Sequence, residues 1–200
     1  MPGVRLLVAS SNPGKIEEFR QLASSRAHAL AVDPLPGFDR LPAFEETAET
    51  IAENAAGKAL YYSRTNSELV LADDSGLVVP ALGGEPGVRS SRYAGPEGDA
   101  RKNIAKLLAA MAGKRGEERA ARFVCVLAVA RAGRVLAVFS GAVAGTILEA
   151  SRGSGGFGYD PVFSYEPAGK TFAELAPVEK NRVSHRGRAF EKLAAYLREA

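Results

Sequence analysis

The chain has no tryptophan, a single cysteine and two histidines among its 200 residues. One cysteine excludes an internal disulfide and a cysteine-based zinc cluster. Cys125 sits inside VCVLAV, where a small buried side chain is expected rather than a reactive thiol. No apolar run is long enough to cross a bilayer. The opening MPGVRLLVASS carries an early charge and too short an apolar stretch for a signal peptide. No internal repeat and no low-complexity tract occurs. Secreted disulfide scaffolds, membrane-spanning proteins and cysteine-zinc modules are thereby set aside. A cytoplasmic enzyme or binding protein, with no membrane partner, is the expectation.

Hydrophobic residues make up 46% of the chain, enough for one sizeable core with a small lobe. The net charge of +3 conceals an asymmetry. Residues 1–100 hold 9 Lys+Arg against 14 Asp+Glu, and residues 101–200 hold 17 against 9. The basic excess peaks between Lys180 and Arg188, around His185 and Arg186. Such a cluster suits a nucleotide or another polyanion, and it equally suits a solvated helix end.

The pattern along the chain predicts alternating strands and helices. Val4–Ala9 reads as a buried strand. Ser10-Ser11-Asn12-Pro13-Gly14-Lys15 turns it into a helix, with Asn12 as N-cap, Pro13 in the first helical position, and Ile16, Phe19, Leu22 and Ala23 as the apolar face. A loop around a few extended residues is expected over Asp33–Pro42. A helix is expected over Glu46–Ser63, with capping-box spacing at Thr50 and Glu53. Leu69–Ala72 is a strand that delivers Asp73 and Asp74. The spacing of Ile104, Leu107, Leu108 and Met111 marks another helix, and that of Phe190, Leu193, Ala194 and Leu197 a last one. Two apolar runs flank Ala132-Gly133 and read as a central hairpin buried on both faces. The fold class expected is α/β: an elongated mixed β-sheet flanked by helices, in two lobes with a central substrate cleft, within one domain over residues 1–200.

Three stretches could carry chemistry. SNPGK places a helix start and Lys15 after a strand, which is an anion site by dipole and charge, although an ordinary helix cap has the same sequence. It lacks the Walker A pattern. In LADDSGLVVP, a continuing strand sends Asp73 and Asp74 to opposite faces, so one of them can serve a site while the other serves the core or a turn. Glu45, Glu46, Glu49 and Glu53 add further carboxylates, and an oxygen-only set suits Mg²⁺ rather than zinc. In SRGSGGFGYD the glycines allow close backbone approach, and Phe157 can stack on a base. His28 is assigned nothing.

In this order the segments ASSNPGKIEEF, FEETAETIAENA, LADDSGLVVPALGGEPGVRSSRYAG, GGFGYDPVF, KTFAELAPVEKN and SHRGRA resemble the inosine/xanthosine triphosphate pyrophosphatases, over nearly the whole chain. Ser11, Ile51 and Ser91 stand where that family more often has glycine, phenylalanine and alanine. The resemblance implies an ITPase-like fold, a homodimer, and Mg²⁺-dependent hydrolysis of ITP, dITP or XTP to the monophosphate and pyrophosphate. It implies no nucleic-acid partner. By the same resemblance Asp74 is the proton acceptor and a metal ligand, and Glu45 is the other metal carboxylate. Asp73 supports them. Ser10, Ser11, Asn12, Pro13, Gly14, Lys15 and Ser75 contact the substrate, as do Phe157, Gly158, Tyr159, Asp160 and Lys180. His185 or Arg186 donates to the 6-oxo group, and Asp160 accepts from a ring N–H. Apart from the resemblance, the place of Lys58 one helical turn after Asn54 makes it a further candidate cation. Two rival readings are a pyrophosphatase for modified pyrimidine nucleotides and a non-catalytic nucleotide- or RNA-binding module.

Overall fold

The apolar run after the first few residues forms β1 (Val4–Val8), with Leu6, Leu7 and Val8 buried. The computed structural model describes residues 4–26 and 30–199, so His28 lies outside the described residues. Beyond β1 the chain enters α1 (Pro13–Arg26). The Asn12 side chain accepts the Lys15 N–H at 3.2 Å, and the Asn12 carbonyl accepts the Ile16 N–H. This is the N-cap expected from the sequence. β2 (Leu30–Pro34) then lies parallel to β1, and β3 (Leu69–Val78) lies parallel on its other side.

Between them, α2 (Ile51–Ser63) begins later than its acidic approach suggested. Thr50 caps it: its Oγ1 accepts the Glu53 N–H at 3.1 Å and donates to the Glu53 carboxylate at 2.7 Å. The capping box therefore sets the start of the helix, and Glu45 and Glu46 fall in the extended approach to it.

α3 (Ala100–Ala110) is capped by Asp99, which accepts from the Arg101 and Lys102 N–H groups. β4 (Ala120–Arg131) and β5 (Arg134–Ile147) are joined at Ala132-Gly133. Both turn residues have positive φ, 49° and 74°, as a two-residue hairpin turn of the right twist requires. β4 is nearly continuously buried in its second half, but β5 alternates between buried or half-buried and exposed positions. The hairpin is thus not covered on both faces. The exposed face of β5 carries Leu136 and Val138, at 36% and 46% exposure, and these apolar residues hide its period of two. β6 (Phe163–Tyr165), β7 (Lys170–Thr171), α4 (Pro177–Val183) and α5 (His185–Glu199) complete the chain.

The seven strands form one mixed sheet in the order β2-β1-β3-β4-β5-β6-β7. The Cα framework divides into two compact units, each with its own core. The first comprises the described residues of Met1–Asp74, Cys125–Gly141 and His185–Ala200. Its core joins Leu6, Val8, Phe19, Leu22, Leu71, Leu127, Phe190 and Leu193. Helices α1 and α5 meet there through Phe19 and Phe190, whose ring centroids are 6.0 Å apart. The second comprises Ser75–Val124 and Ala142–Ser184, with Leu77, Leu107, Met111, Phe123, Phe163 and Phe172 inside. The Phe123 and Phe172 rings are stacked with centroids 5.9 Å apart. Arg119 is buried beside them and donates to the carbonyls of Met111, Lys114, Ile147 and Leu148. Among the described residues no helix is long and apolar enough to cross a membrane.

Candidate active site

β3 is where sequence becomes chemistry. It does not stop at Ala72 but runs through Asp73, Asp74 and Ser75 to Val78. Successive side chains on a strand point to opposite faces, so the two aspartates enter different surroundings. The parallel pairing of Leu6 to Leu69 and Val8 to Leu71, continued by the Ala9 N–H donating to the Leu71 carbonyl, aligns the end of β1 with this segment. The Ser10–Lys15 turn is thereby carried up to Asp73.

Asp73 turns into the core of the first unit, with its side chain fully buried. Its Oδ1 accepts from Lys15 Nζ, and its Oδ2 accepts from Arg186 Nε at 3.1 Å and from Cys125 Sγ at 3.2 Å. Burial alone drives the Asp73 carboxyl toward the neutral form, but the Arg186 and Lys15 charges outweigh it and hold the group well below the usual carboxylate range. Arg186 in turn donates from Nη1 to Glu18. Burial works against the guanidinium charge, and the Asp73 and Glu18 charges more than restore it.

Asp74 has the opposite fate. Burial raises its pKa first and the nearby Glu46 charge second; Lys15 and Lys58 only partly oppose them, and the carboxyl is pushed up to about 6. Glu46 itself pairs with Lys58 across 2.5 Å. Two neighbouring carboxylates thus acquire pKa values far apart, the arrangement that lets one act as a base while the other stays charged.

The second unit holds another buried aspartate. Asp160, in the turn between the glycine loop and β6, accepts from Lys180 Nζ at 2.6 Å and from the Phe157 N–H at 2.8 Å. Lys180 Nζ lies 4.7 Å from the centre of the Phe157 ring and 5.8 Å from that of Phe172. Gly156 has φ of 68°, and a Cβ there would sit 2.1 Å from the Asp160 carboxylate, so the loop accepts only glycine at that position. The Tyr159 hydroxyl donates to the Ser90 carbonyl at 2.8 Å, and burial raises its pKa.

Comparison with known proteins gives these positions a context. The sequence pattern of the Ham1 family matches residues 6–196. The chain is 52% identical over 188 residues, 94% of its length and 91% of the relative's, to the dITP/XTP pyrophosphatase of Geobacillus kaustophilus. It belongs to the Ham1 family. The solved Ham1 protein of Coxiella burnetii superposes with a TM-score of 0.86 at 38% identity, covering 98% of this chain and 100% of that one. That of Staphylococcus aureus superposes with a TM-score of 0.84 at 37% identity, covering 98% of both chains. The mixed sheet flanked by helices is therefore the Ham1 fold.

Within that fold, the expected site residues have the following surroundings. The Arg186 guanidinium pairs with Asp73 and Glu18, and its side chain is 2% exposed. Asp160 and Lys180 pair with each other. Tyr159 is turned into the second core. The helix-start anion site loses the Lys15 and Ile16 N–H groups to the Asn12 cap, so its charge comes from Lys15 and the dipole. In the same turn Ser10 accepts the Asn12 N–H, while Ser11 and Pro13 are exposed and Gly14 is half-buried. Ser75 and Gly158 are half-buried, and His185 is buried at the start of α5.

Glu46 is the residue sequence reasoning passed over in favour of exposed Glu45; its charge is the one that bears on Asp74. The helical position of Lys58, seven residues into α2, was the available signal, because a lysine there faces back toward the acidic approach. The groups whose negative charge bears on Asp74 are the carboxylates of Glu46 and Asp73. Burial and like charge make full ionisation of Asp74 beside Glu46 costly, and a hard divalent cation relieves that cost. Among the described residues no group of three or more His, Cys, Asp or Glu is gathered to hold a metal. Two carboxylates are nevertheless sufficient for Mg²⁺, which keeps several waters and takes phosphate oxygens.

Proposed function

We propose that this chain hydrolyses dITP, XTP and ITP to the nucleoside monophosphate and pyrophosphate, using Mg²⁺. We infer that the whole chain acts as one pyrophosphatase domain, cytoplasmic and homodimeric, with no nucleic-acid partner. The observation that carries the reading is the pair of adjacent aspartates with opposed environments, one locked in charged form by Lys15 and Arg186 and the other raised to about 6. The dITP/XTP pyrophosphatase name of the Geobacillus kaustophilus relative supports the substrate class.

Asp74 takes a proton from a water molecule, and the water oxygen attacks the α-phosphorus. The bond from that phosphorus to the oxygen bridging to the β-phosphorus breaks, and pyrophosphate leaves with the bonding electrons. A base that must be ionised at neutral pH yet bind a proton in passing works best with a pKa near the working pH, and in the metal-free protein the surroundings of Asp74 raise its pKa toward that range. Asp74 and Glu46 would hold Mg²⁺, with Glu45 next to Glu46 on the same segment as a further oxygen donor. The bound cation supplies charge neutralisation of phosphate oxygens and orientation of the attacked phosphorus.

Lys15, at the start of α1, meets the negative charge that grows on the leaving pyrophosphate, together with the Ser10–Gly14 turn and Ser75. Lys58 keeps Glu46 in place. Phe157 offers its ring to the purine. Reading of the 6-oxo group falls to His185 or Arg186, adjacent buried donors at the start of α5. A buried donor matched to an oxo group rejects an amino group by about 10⁴-fold when it is left unpaired.

The test is pyrophosphate release from a panel of dITP, XTP, ITP, dATP, dGTP, dUTP and methylated UTP, with and without Mg²⁺. Release confined to the first three and dependent on the cation is expected. Release from the modified pyrimidines alone would transfer the chain to a different substrate class. Binding without release would make it a binding module.

A further inference from the structure

Lys15, Asp73, Arg186 and Glu18 form a continuous run of ion pairs within the first unit, whose two ends lie on α1. Lys15 and Glu18 are one turn apart on α1, where side chains three positions apart share a face. Lys15 reaches Asp73 Oδ1, Asp73 Oδ2 receives Arg186 Nε at 3.1 Å, and Arg186 Nη1 returns to Glu18 at 2.5 Å. Two cations and two anions leave no net charge, which is the condition under which such a cluster survives burial.

Exposure divides the run unequally. The side chains of Asp73 and Arg186 are 0% and 2% exposed, Glu18 is 12% exposed, and Lys15 is 18% exposed. Asp73 therefore cannot touch a ligand, whereas part of the Lys15 side chain is open to solvent.

We propose that Asp73 is a positioning residue for Lys15: it fixes the ammonium group in advance at the place where the phosphate chain of the substrate is bound. This deepens the function proposed above and rests on it. A free lysine side chain carries about 2 kcal/mol of rotamer entropy, part of which is lost whenever it is immobilised on a ligand. Holding Lys15 on Asp73 before binding removes much of that loss, the general route by which preorganisation improves affinity. An ammonium group has three donors. One goes to Asp73 and two remain for phosphate oxygens. Arg186 occupies the other oxygen of the same carboxylate, so Asp73 is held in place from two sides while it holds Lys15. The same arrangement explains why β3 carries two aspartates where the chemistry uses one.

A purely structural ion network would also contain these contacts, so the test must separate the two roles. The probe is inorganic tripolyphosphate, measured by calorimetry on the full chain with Mg²⁺ present. Asp73→Asn is expected to weaken binding by about tenfold, the loss of one well-placed charged contact. In the Lys15→Ala background the same substitution is expected to weaken it by less than twofold, because nothing remains to be positioned. Equal losses in the two backgrounds, or no loss in the first, overturns the proposal.

If Asp73→Asn does not fold, the wild-type protein decides by itself. A Lys15 ammonium signal in nitrogen NMR, assigned by its disappearance in Lys15→Ala and protected from solvent exchange without ligand, is expected. A Lys15 ammonium exchanging as fast as a solvated lysine overturns the proposal. Turnover of dITP by the wild-type protein is read separately. Its absence would remove the proposed function, whereas an additive cycle beside normal turnover would remove only the role of Asp73.

Discussion

Asp73 and Asp160 are both buried aspartates paired with a lysine, and they are put to different uses. Around Asp73 the second charged donor is Arg186, and the lysine side chain stays partly exposed. Around Asp160 the second donor is the backbone N–H of Phe157, and Lys180 is covered, with 5% of its side chain exposed beneath the Phe157 ring. The first arrangement is a charge hub that leaves a cation able to act on a ligand. The second is a latch that ties the glycine loop, an aromatic ring and α4 together. What differs is the second donor: a guanidinium, itself paired with Glu18, shares the carboxylate charge with the lysine, while a peptide N–H carries no charge. Asp74, beside the hub on the other strand face, is surrounded by carboxylate and burial instead, and so becomes the titrating member.

The largest effect that would break this comparison is on Asp74. Asp74→Asn should reduce pyrophosphate release by about 10²–10⁴-fold, the usual contribution of a positioned base. Comparable loss in Asp160→Asn, with Asp74→Asn still active, would reverse the roles. Next, removing one partner of either buried pair strands a charge. Lys180→Met should cost about 3–5 kcal/mol in unfolding free energy, and adding Asp160→Asn should recover much of it. Urea titration of the single and double variants checks this. A double variant no better than the single one would mean that Lys180 holds the loop by packing alone.

Stability offers a third contrast. A carboxyl raised from the ordinary aspartate range to about 6 on folding destabilises the folded state when ionised. The penalty is absent below about pH 4, grows between about pH 4 and 6, and then stays at roughly 3 kcal/mol or less. Metal-free Asp74→Asn should therefore melt higher than wild type at pH 7.5 and show no such gain at pH 4. Asp73 has the reverse sign. Its depressed pKa contributes stability above the unfolded value near 3.9, and that stability is lost as pH falls through the folded value. Acid unfolding should consequently be blunted in Asp73→Asn relative to its own neutral stability. The smallest effect expected is at Lys15, whose replacement by alanine should raise KM by about tenfold, the loss of one charged contact, with little change for a substrate lacking phosphates beyond the first.

Much of this was legible in the sequence because local chemistry decided it. Asn12-Pro13 fixed the start of α1, Thr50 with Glu53 fixed α2, and Ala132-Gly133 fixed the hairpin turn. The opposed directions of Asp73 and Asp74 followed from the period of a strand alone. What escaped was non-local. The inward turn of Arg186 depends on Glu18, which is 168 residues away in the chain. The Asp160–Lys180 latch joins a loop to a helix 20 residues on, and two positive residues in a basic cluster look alike until their partners are known. Strands β6 and β7, three and two residues long, are too short to display any period. Glu46 and Glu45 are adjacent, and only packing against α2 tells them apart.

The most direct measurement is a carbon NMR titration of the aspartate carboxyl groups in the metal-free protein, with Asp73→Asn and Asp74→Asn used to assign the two signals. The account predicts one signal titrating at about 6, missing in Asp74→Asn, and one that stays ionised below the usual aspartate range, missing in Asp73→Asn. Two signals titrating together at the ordinary aspartate value, or the higher one belonging to Asp73, would contradict it.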